Sequence, residues 1–356
     1  MMREPSFWWS APGTAARVLA PVSAVYGAVT QARLRQRGVR VATPVVCVGN
    51  PTVGGAGKTP TALTVARILK EAGERPVFLT RGHGGALAGP IEVDPAHQNA
   101  AQVGDEPLLL ARVARTIVAR ARLAGAGRAA AAGASVIVLD DGFQNPSLHK
   151  DFSLLVVDGR RGIGNGRVIP GGPLRAPLAA QLARAHALLL VGAPLRAGRV
   201  VEEEARARDL PVLRAHLQPD PKLIAALGRR RVLAFAGIGD PEKFFATLAD
   251  AGVAVAVTRS FPDHHRYTHA EARALCEEAD REGLILVTTE KDLVRLKGAE
   301  EAAELAAHAH ALPVALVFEQ EATFKSLLLE RIAAARERSA AGAGRPAAGQ
   351  AGCLRP

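Results

Sequence analysis

The run Thr52-Val53-Gly54-Gly55-Ala56-Gly57-Lys58-Thr59 lies between a β-branched run, Val45 to Val48, and an apolar-periodic stretch beginning near Pro60. Strand, glycine-rich loop, helix is the order a phosphate-binding loop requires. Glycines let backbone N–H groups close around phosphate oxygens, and the helix N-terminus adds its positive dipole end. In such a loop Lys58 would reach the β- and γ-phosphates, and Thr59 would offer its hydroxyl to Mg²⁺. Thr52 stands where the general pattern has glycine. A second apolar run, Val136 to Leu139, delivers Asp140 and Asp141 at its C-terminal end. Ligands of open α/β sheets bind at that end, so Asp140 is placed to hold Mg²⁺ or its water shell, with Asp141 beside it. Aspartates also simply terminate strands; the loop is what gives this pair its meaning.

Two further clusters could do acid–base work. Gly104-Asp105-Glu106-Pro107 puts carboxylates at a loop-to-helix start, and Phe261-Pro262-Asp263-His264-His265-Arg266-Tyr267 is a dense polar group in the second half. A carboxylate and a histidine meeting across a cleft would form a general-base pair. The plain alternatives are a helix N-cap for Asp105 and a solvated turn for the histidines. Thr288-Thr289-Glu290-Lys291-Asp292 superficially resembles a base-reading Asn-Lys-x-Asp element. It has Glu in place of Asn and no spacer before Asp292, so it reads as a helix start capped by Thr289. Gly162-Ile163-Gly164-Asn165-Gly166 is no dinucleotide fingerprint, because Ile169-Pro170-Gly171-Gly172-Pro173 after it cannot be a helix.

These residues need a scaffold that brings strand ends together. Short apolar runs at 45–48, 76–79, 135–139, 153–157 and 187–191 alternate with helical stretches at about 60–72 and 108–123. The alternation predicts an α/β fold, a doubly wound, mostly parallel sheet of the P-loop NTPase kind. Runs at 231–236, 284–287 and 314–317, with a helix near 244–248, predict a second, smaller α/β domain. Gln218-Pro219-Asp220-Pro221 interrupts the pattern and marks the boundary. The expected organisation is an apolar and basic segment 1–38, a core domain 39–218, a smaller domain 219–330 and a disordered basic tail 331–356.

Composition narrows the partners. Of the net charge of +11, residues 1–40 hold +5 and residues 331–356 hold +4, so the body is nearly neutral. A nucleic-acid binder would carry a basic stripe on the folded domain with aromatics to stack bases, and aromatics are only 4% here. Three scattered cysteines, Cys47, Cys276 and Cys353, exclude a disulfide framework and point to a reducing compartment. Trp8, Trp9, an apolar stretch from Ala11 to Val29 and Arg33, Arg35, Arg37 and Arg40 are the ingredients of a membrane-interface segment. Arg17, Pro12, Gly13, Pro21 and Gly27 speak against a spanning helix, and the alternative is a core helix packed on the first domain.

Taken in order, Val48-Gly49-Asn50, the loop with Pro60, Arg81-Gly82-His83-Gly84-Gly85, Val103 to Pro107, Asp140-Asp141-Gly142-Phe143-Gln144, Pro173-Leu174-Arg175 and Phe261 to His265 resemble the tetraacyldisaccharide 4′-kinase family. His83, Asn145 and Ala176 depart from that family's usual Tyr, His and acidic residue. The resemblance implies ATP and Mg²⁺ as cofactors and phosphoryl transfer to the 4′-hydroxyl of an acylated disaccharide 1-phosphate in lipid A biosynthesis. It implies peripheral or monotopic attachment to the cytoplasmic face of the inner membrane of a Gram-negative bacterium, with no nucleic acid and no obligate protein partner. By motif, Asp105 takes the hydroxyl proton with His264 as partner, Asp140 and Asp141 lie on the metal side, and Arg81, Glu106, Gln144 and Arg175 are substrate contacts. The alternative is a P-loop switch or metal-insertion NTPase without a lipid acceptor.

Overall fold

The computed structural model describes residues 4–343, so residues 344–356 of the expected tail lie outside the described residues. Its larger sheet holds β1 (Val45–Gly49), β2 (Pro76–Thr80), β3 (Ile91–Glu92), β4 (Thr116–Val118), β5 (Val136–Asp140), β6 (Phe152–Asp158), β7 (Ala187–Val191) and β8 (Val212–Pro219). A smaller sheet holds β9 (Arg231–Ala236), β10 (Ala254–Ser260), β11 (Ile285–Thr289) and β12 (His310–Leu312). The chain then returns to the larger sheet with β13 (Val314–Phe318). The strand orders are β13-β8-β7-β6-β1-β5-β2-β4-β3 and β10-β9-β11-β12. Among the described residues only β13 against β8 and β3 against β4 run antiparallel.

The period of two explains why the central strands are apolar throughout. Val46, Val48, Val138, Phe152 and Leu154 face one layer, where Ala62, Val65, Ile68 and Leu69 of the helix Lys58–Glu71 cover them. Val45, Cys47, Ile137, Leu139 and Leu155 face the other, against Ala126, Ala129, Val201 and Ala205. Sheets covered on both faces have no polar side to expose. β1 lies between β5 and β6, so the loop leaving it opens between the C-terminal ends of two neighbours.

Three expectations change. The single helix expected over 108–123 is a helix Asp105–Leu110 followed by β4, because Thr116-Ile117-Val118 is a buried β-branched run paired with β2. The smaller lobe ends at Pro313 rather than near residue 330. The N–H of Asp220 donates to the carbonyl of Pro313 at 2.9 Å, and Val314 pairs with Pro219. The expected disordered tail is helical as far as it is described, within Glu321–Ala343. Phe324, Leu328 and Ile332 of that helix are buried against β6 and β13, and Arg336 pairs with Glu74 at 2.6 Å. The Ala-rich composition that suggested disorder is also good helix-forming material once one face is covered.

At the other end, helices Thr14–Val18 and Ala20–Arg35 dock by small residues. Ser23 Oγ accepts the Gly171 N–H at 2.9 Å, Gly27 lies against Pro177, and Trp8 donates its indole N–H to the Pro170 carbonyl. The opposite face carries Val18, Val22, Val25 and Val29, all exposed. Their spacing of four, three and four residues makes one apolar stripe. Among the described residues no helix is long and apolar enough to cross a membrane.

The returning helix supplies a stability test. Phe324 is fully buried and its ring stacks on Phe318 with centroids 4.3 Å apart. Phe324→Ala should lower the unfolding free energy by about 3–5 kcal/mol, measured by urea titration. A loss under about 1 kcal/mol would mean that the helix only lies on the surface.

Candidate active site

β1 ends at Gly49, and Asn50 turns the chain into the loop. The Asn50 side-chain N–H donates to the Gly54 carbonyl at 3.1 Å, while its Oδ1 accepts from Lys58 Nζ at 3.1 Å. One amide therefore closes the loop and aims the lysine. Gly54 and Gly57 have φ of +96° and +87°, a region other residues enter only under strain. Gly57 directly precedes the fourteen-residue helix Lys58–Glu71, whose first N–H groups point into the loop's mouth. From outside, Val53 N–H donates to the Pro173 carbonyl at 2.8 Å and Arg175 Nε to the Thr52 carbonyl at 3.0 Å.

Asp140 ends β5 in register with Val48, beside the start of the loop. It is buried, and its Oδ1 has no hydrogen-bond partner. Burial, then the negative charges of Asp141 and Glu106, push its carboxyl up to about 7. A buried carboxylate with an orphaned oxygen at the mouth of a phosphate loop fits a divalent cation, and Thr59, the second residue of the helix that leaves the loop, carries the hydroxyl expected to join it. Asp141, expected on the metal side, is engaged otherwise. With φ of +52° it turns its two oxygens to Arg175 at 2.9 and 3.3 Å, with Lys58 at 3.9 Å. Although burial raises it, Lys58 and Arg175 hold its carboxyl well below the usual range. Lys58 is itself lowered by burial.

The two halves meet as expected for Asp105 and His264. Asp105 is the first residue of its helix, not the cap; Gly104 precedes it as N-cap. His264 Nδ1 lies 3.3 Å from Asp105 Oδ2, and the His264 ring stands edge-on to His83 at 5.2 Å. Burial would raise Asp105, yet His264, Glu106, Lys291 and Arg295 hold it far below the usual carboxylate range. The hydrogen bond to Asp105 raises His264 above the ordinary imidazole value. His265 does something else: it stacks on Phe261 and pairs with Glu271 at 3.0 Å, inside the smaller lobe. Gly239 of that lobe comes so near the phosphate loop that a Cβ there would lie 3.5 Å from the Gly55 nitrogen.

The remaining expected contacts divide. Arg81 is exposed at the rim. Gln144 braces the loop, donating to the Asn50 carbonyl at 2.8 Å and to Gln181 Oε1 at 3.1 Å. Glu106 is paired with Lys291 at 2.6 Å. Arg175 clamps Thr52 and Asp141. Sequence reasoning passed over four residues. Asn50 stood inside a quoted motif without a role, and buried Gln181 carries no signal of its own. Lys291 and Arg295 sit four apart behind the Thr289 cap; that spacing was the available clue.

Comparison with known proteins agrees over nearly the whole chain. A sequence model of the family described as tetraacyldisaccharide-1-P 4′-kinase matches residues 15–333. The tetraacyldisaccharide 4′-kinase of Rhodopseudomonas palustris (strain BisA53) is 54% identical over 337 residues, 95% of this chain and 98% of that protein. That of Methylobacterium sp. (strain 4-46) is 58% identical over 305 residues, 85% of this chain and 92% of that protein. The crystal structure described as the "apo" form of LpxK from Aquifex aeolicus in complex with ATP superposes with a TM-score of 0.68 at 28% identity. It covers 89% of this chain and 99% of that one.

Asp140 yields a pH-dependent prediction. Its folded-state value of about 7 lies above the roughly 3.9 of an unfolded aspartate, so the ionised form penalises the folded chain as pH rises between the two. Asp140→Asn should therefore stabilise the ligand-free protein at pH 8, by a few kcal/mol at most and seen as a raised Tm, and the gain should shrink towards pH 4. Added Mg²⁺ should raise the Tm of the parent and not of the variant. Thermal scans across that pH range check both, and a pH-independent difference would refute the cause given.

Proposed function

Because this chain belongs to the tetraacyldisaccharide-1-P 4′-kinase family, we propose that its cleft carries out that family's phosphoryl transfer with the residues placed here. The protein is an ATP-dependent kinase of the lipid A precursor, transferring the γ-phosphoryl group to the 4′-hydroxyl of a tetraacyldisaccharide 1-phosphate. The observation that carries the assignment of residues is the presence of two charged centres in one cleft, the second of them built across the two lobes. The loop 52–59 with Asp140 is one, and the Asp105–His264 pair is the other.

Phosphoryl transfer asks for positioning and charge neutralisation more than for covalent chemistry. The loop N–H groups and Lys58 hold the β- and γ-phosphates. Asp140 and the Thr59 hydroxyl would hold Mg²⁺, which when bound neutralises charge between those phosphates. Asp141 keeps Arg175 and Lys58 in place. The Asp105–His264 unit accepts the proton of the attacking hydroxyl, and His264 Nδ1 is held in line by the carboxylate. A nucleotide switch or metal-insertion NTPase would have no use for this acceptor-side pair.

The lipid acceptor is reached from the membrane. We assign the exposed stripe Val18, Val22, Val25 and Val29 to the acyl boundary of the bilayer. The arginines at 33, 35, 37 and 40 would meet anionic headgroups at the cytoplasmic face of the inner membrane. The helix lies in the interface because its other face is docked on the core.

Four outcomes are expected. With ATP, Mg²⁺ and tetraacyldisaccharide 1-phosphate, mass spectrometry should show one added phosphoryl group. Lys58→Ala should cut kcat roughly 10²–10³-fold in a folded protein, and near-normal turnover would remove the loop from the mechanism. The rate should fall on acidification through a value above the ordinary imidazole pKa of about 6.5, since Asp105 raises His264. Asp105→Asn should both slow the reaction and move that limb to lower pH. Val22→Asp with Val25→Asp should reduce co-sedimentation with anionic vesicles without lowering Tm. A lowered Tm with unchanged sedimentation would mean that the stripe packs on protein.

A further inference from the structure

We propose that Arg295 is a positioning residue for phosphoryl transfer: it anchors Asp105 and His264 together, so that the smaller lobe assembles the proton-accepting pair. This rests on the reading of Asp105–His264 given above and extends it to a residue that touches neither substrate nor phosphate.

The helix Glu290–Lys297 starts at Thr289, whose hydroxyl accepts the Asp292 N–H at 3.1 Å. Lys291 and Arg295, one turn apart, face the helix Asp105–Leu110 of the larger lobe. Arg295 is only 8% exposed at its side chain. Its Nε and Nη2 both donate to Asp105 Oδ2, at 2.8 and 2.6 Å. Its Nη1 donates to Asp292 Oδ1 at 2.8 Å and to the Gly237 carbonyl at 2.7 Å. That same carbonyl accepts the backbone N–H of His264 at 3.1 Å. One guanidinium thus holds the carboxylate directly and the histidine through the peptide it hangs from.

The anchor is itself fixed. Asp292 is fully buried and accepts from Tyr267 Oη at 3.0 Å and from the Gly237 N–H at 3.1 Å. A Cβ on Gly237 would lie 3.0 Å from the His265 Cβ and 3.1 Å from Asp292 Oδ1, so the junction has no room to shift. His264 stands at φ +56°, a conformation that needs holding. Only a planar fork with several donors can reach Asp105, Asp292 and Gly237 at once; an ammonium cannot.

Charge follows geometry. Asp105 is faced by Glu106 from its own helix, by Lys291, Asp292 and Arg295 from the helix opposite, and by Asp263 and His264 from the loop between. His83 lies against the far side of His264. Removing the Arg295 charge leaves the pair more negative, so it should bind a proton more tightly.

The test is kinetic and uses the full chain with ATP, Mg²⁺ and tetraacyldisaccharide 1-phosphate. Arg295→Gln should lower kcat about 10- to 100-fold with the ATP KM nearly unchanged, and should move the acid limb of kcat to higher pH. Arg295→Lys should keep the limb near its original place but recover only part of kcat. In an Asp105→Asn background, Arg295→Gln should add less than about twofold, since the two act through one unit. Full kcat with an unmoved limb overturns the proposal, as does a loss retained in the Asp105→Asn background, which marks a purely structural residue. If Asp105→Asn alone keeps full kcat, the reading of the base fails, and the proposal with it. If Asp105→Asn is slow and Arg295→Gln is not, only the proposal fails. Should Arg295→Gln not fold, Arg295→Lys carries the same test: its partial loss must vanish when Asp105 is Asn.

Discussion

Four carboxylates, Asp105, Glu106, Asp140 and Asp141, gather at the C-terminal edge of the larger sheet, the first three shielded from bulk water and Asp141 at its exposed margin. Each of the shielded three would cost several kcal/mol in free energy if left ionised and alone. Three have cations: Arg295 for Asp105, Lys291 for Glu106, and Arg175 with Lys58 for Asp141. Asp140 alone has none of its own and an oxygen without a donor. That imbalance organises the site. The lobes are held together where acids of one meet bases of the other, and the single uncompensated acid sits where a cation and phosphates belong.

The same ledger of charge shows what was legible in the sequence. Residues whose role depends on local order could be read directly: the glycines, Lys58 and Thr59, and Asp140 at the end of an apolar run. Asp105 and His264, 159 positions apart, could be paired only as a possibility, or through resemblance to a family. Their meeting depends on how helix Glu290–Lys297 packs on helix Asp105–Leu110, and no periodicity encodes that. Arg295 was hidden for the same reason. A lone arginine on an amphipathic helix looks like a solvated face until the partner helix is in place.

The fold was readable where strands are buried on both faces and blurred at the edges. β4 is three residues long and was absorbed into a helix pattern. β8 has mixed exposure and lies at a boundary marked by proline. The tail was misread because Ala and Arg do not distinguish an unpacked chain from a helix with one covered face. At the N-terminus both readings contain part of the structure. Ser23, Gly27 and Leu34 dock as a core helix would, while the valines on the opposite side stay uncovered.

β13 and the helix after it complete the core that β1 began. The smaller lobe, from Asp220 to Pro313, is a loop out of the larger one, with both of its ends on neighbouring antiparallel strands. On a ribosome, therefore, the interior lobe can finish folding while the exterior one cannot. Phe152 on β6 waits for Phe324, more than 170 residues later. Until then one face of the sheet is bare of its last helix. Such distant closure slows folding and leaves apolar surface open to aggregation. A chain released a few dozen residues early would carry an intact phosphate loop and an intact inserted lobe, yet lack the helix that seals the sheet beneath them.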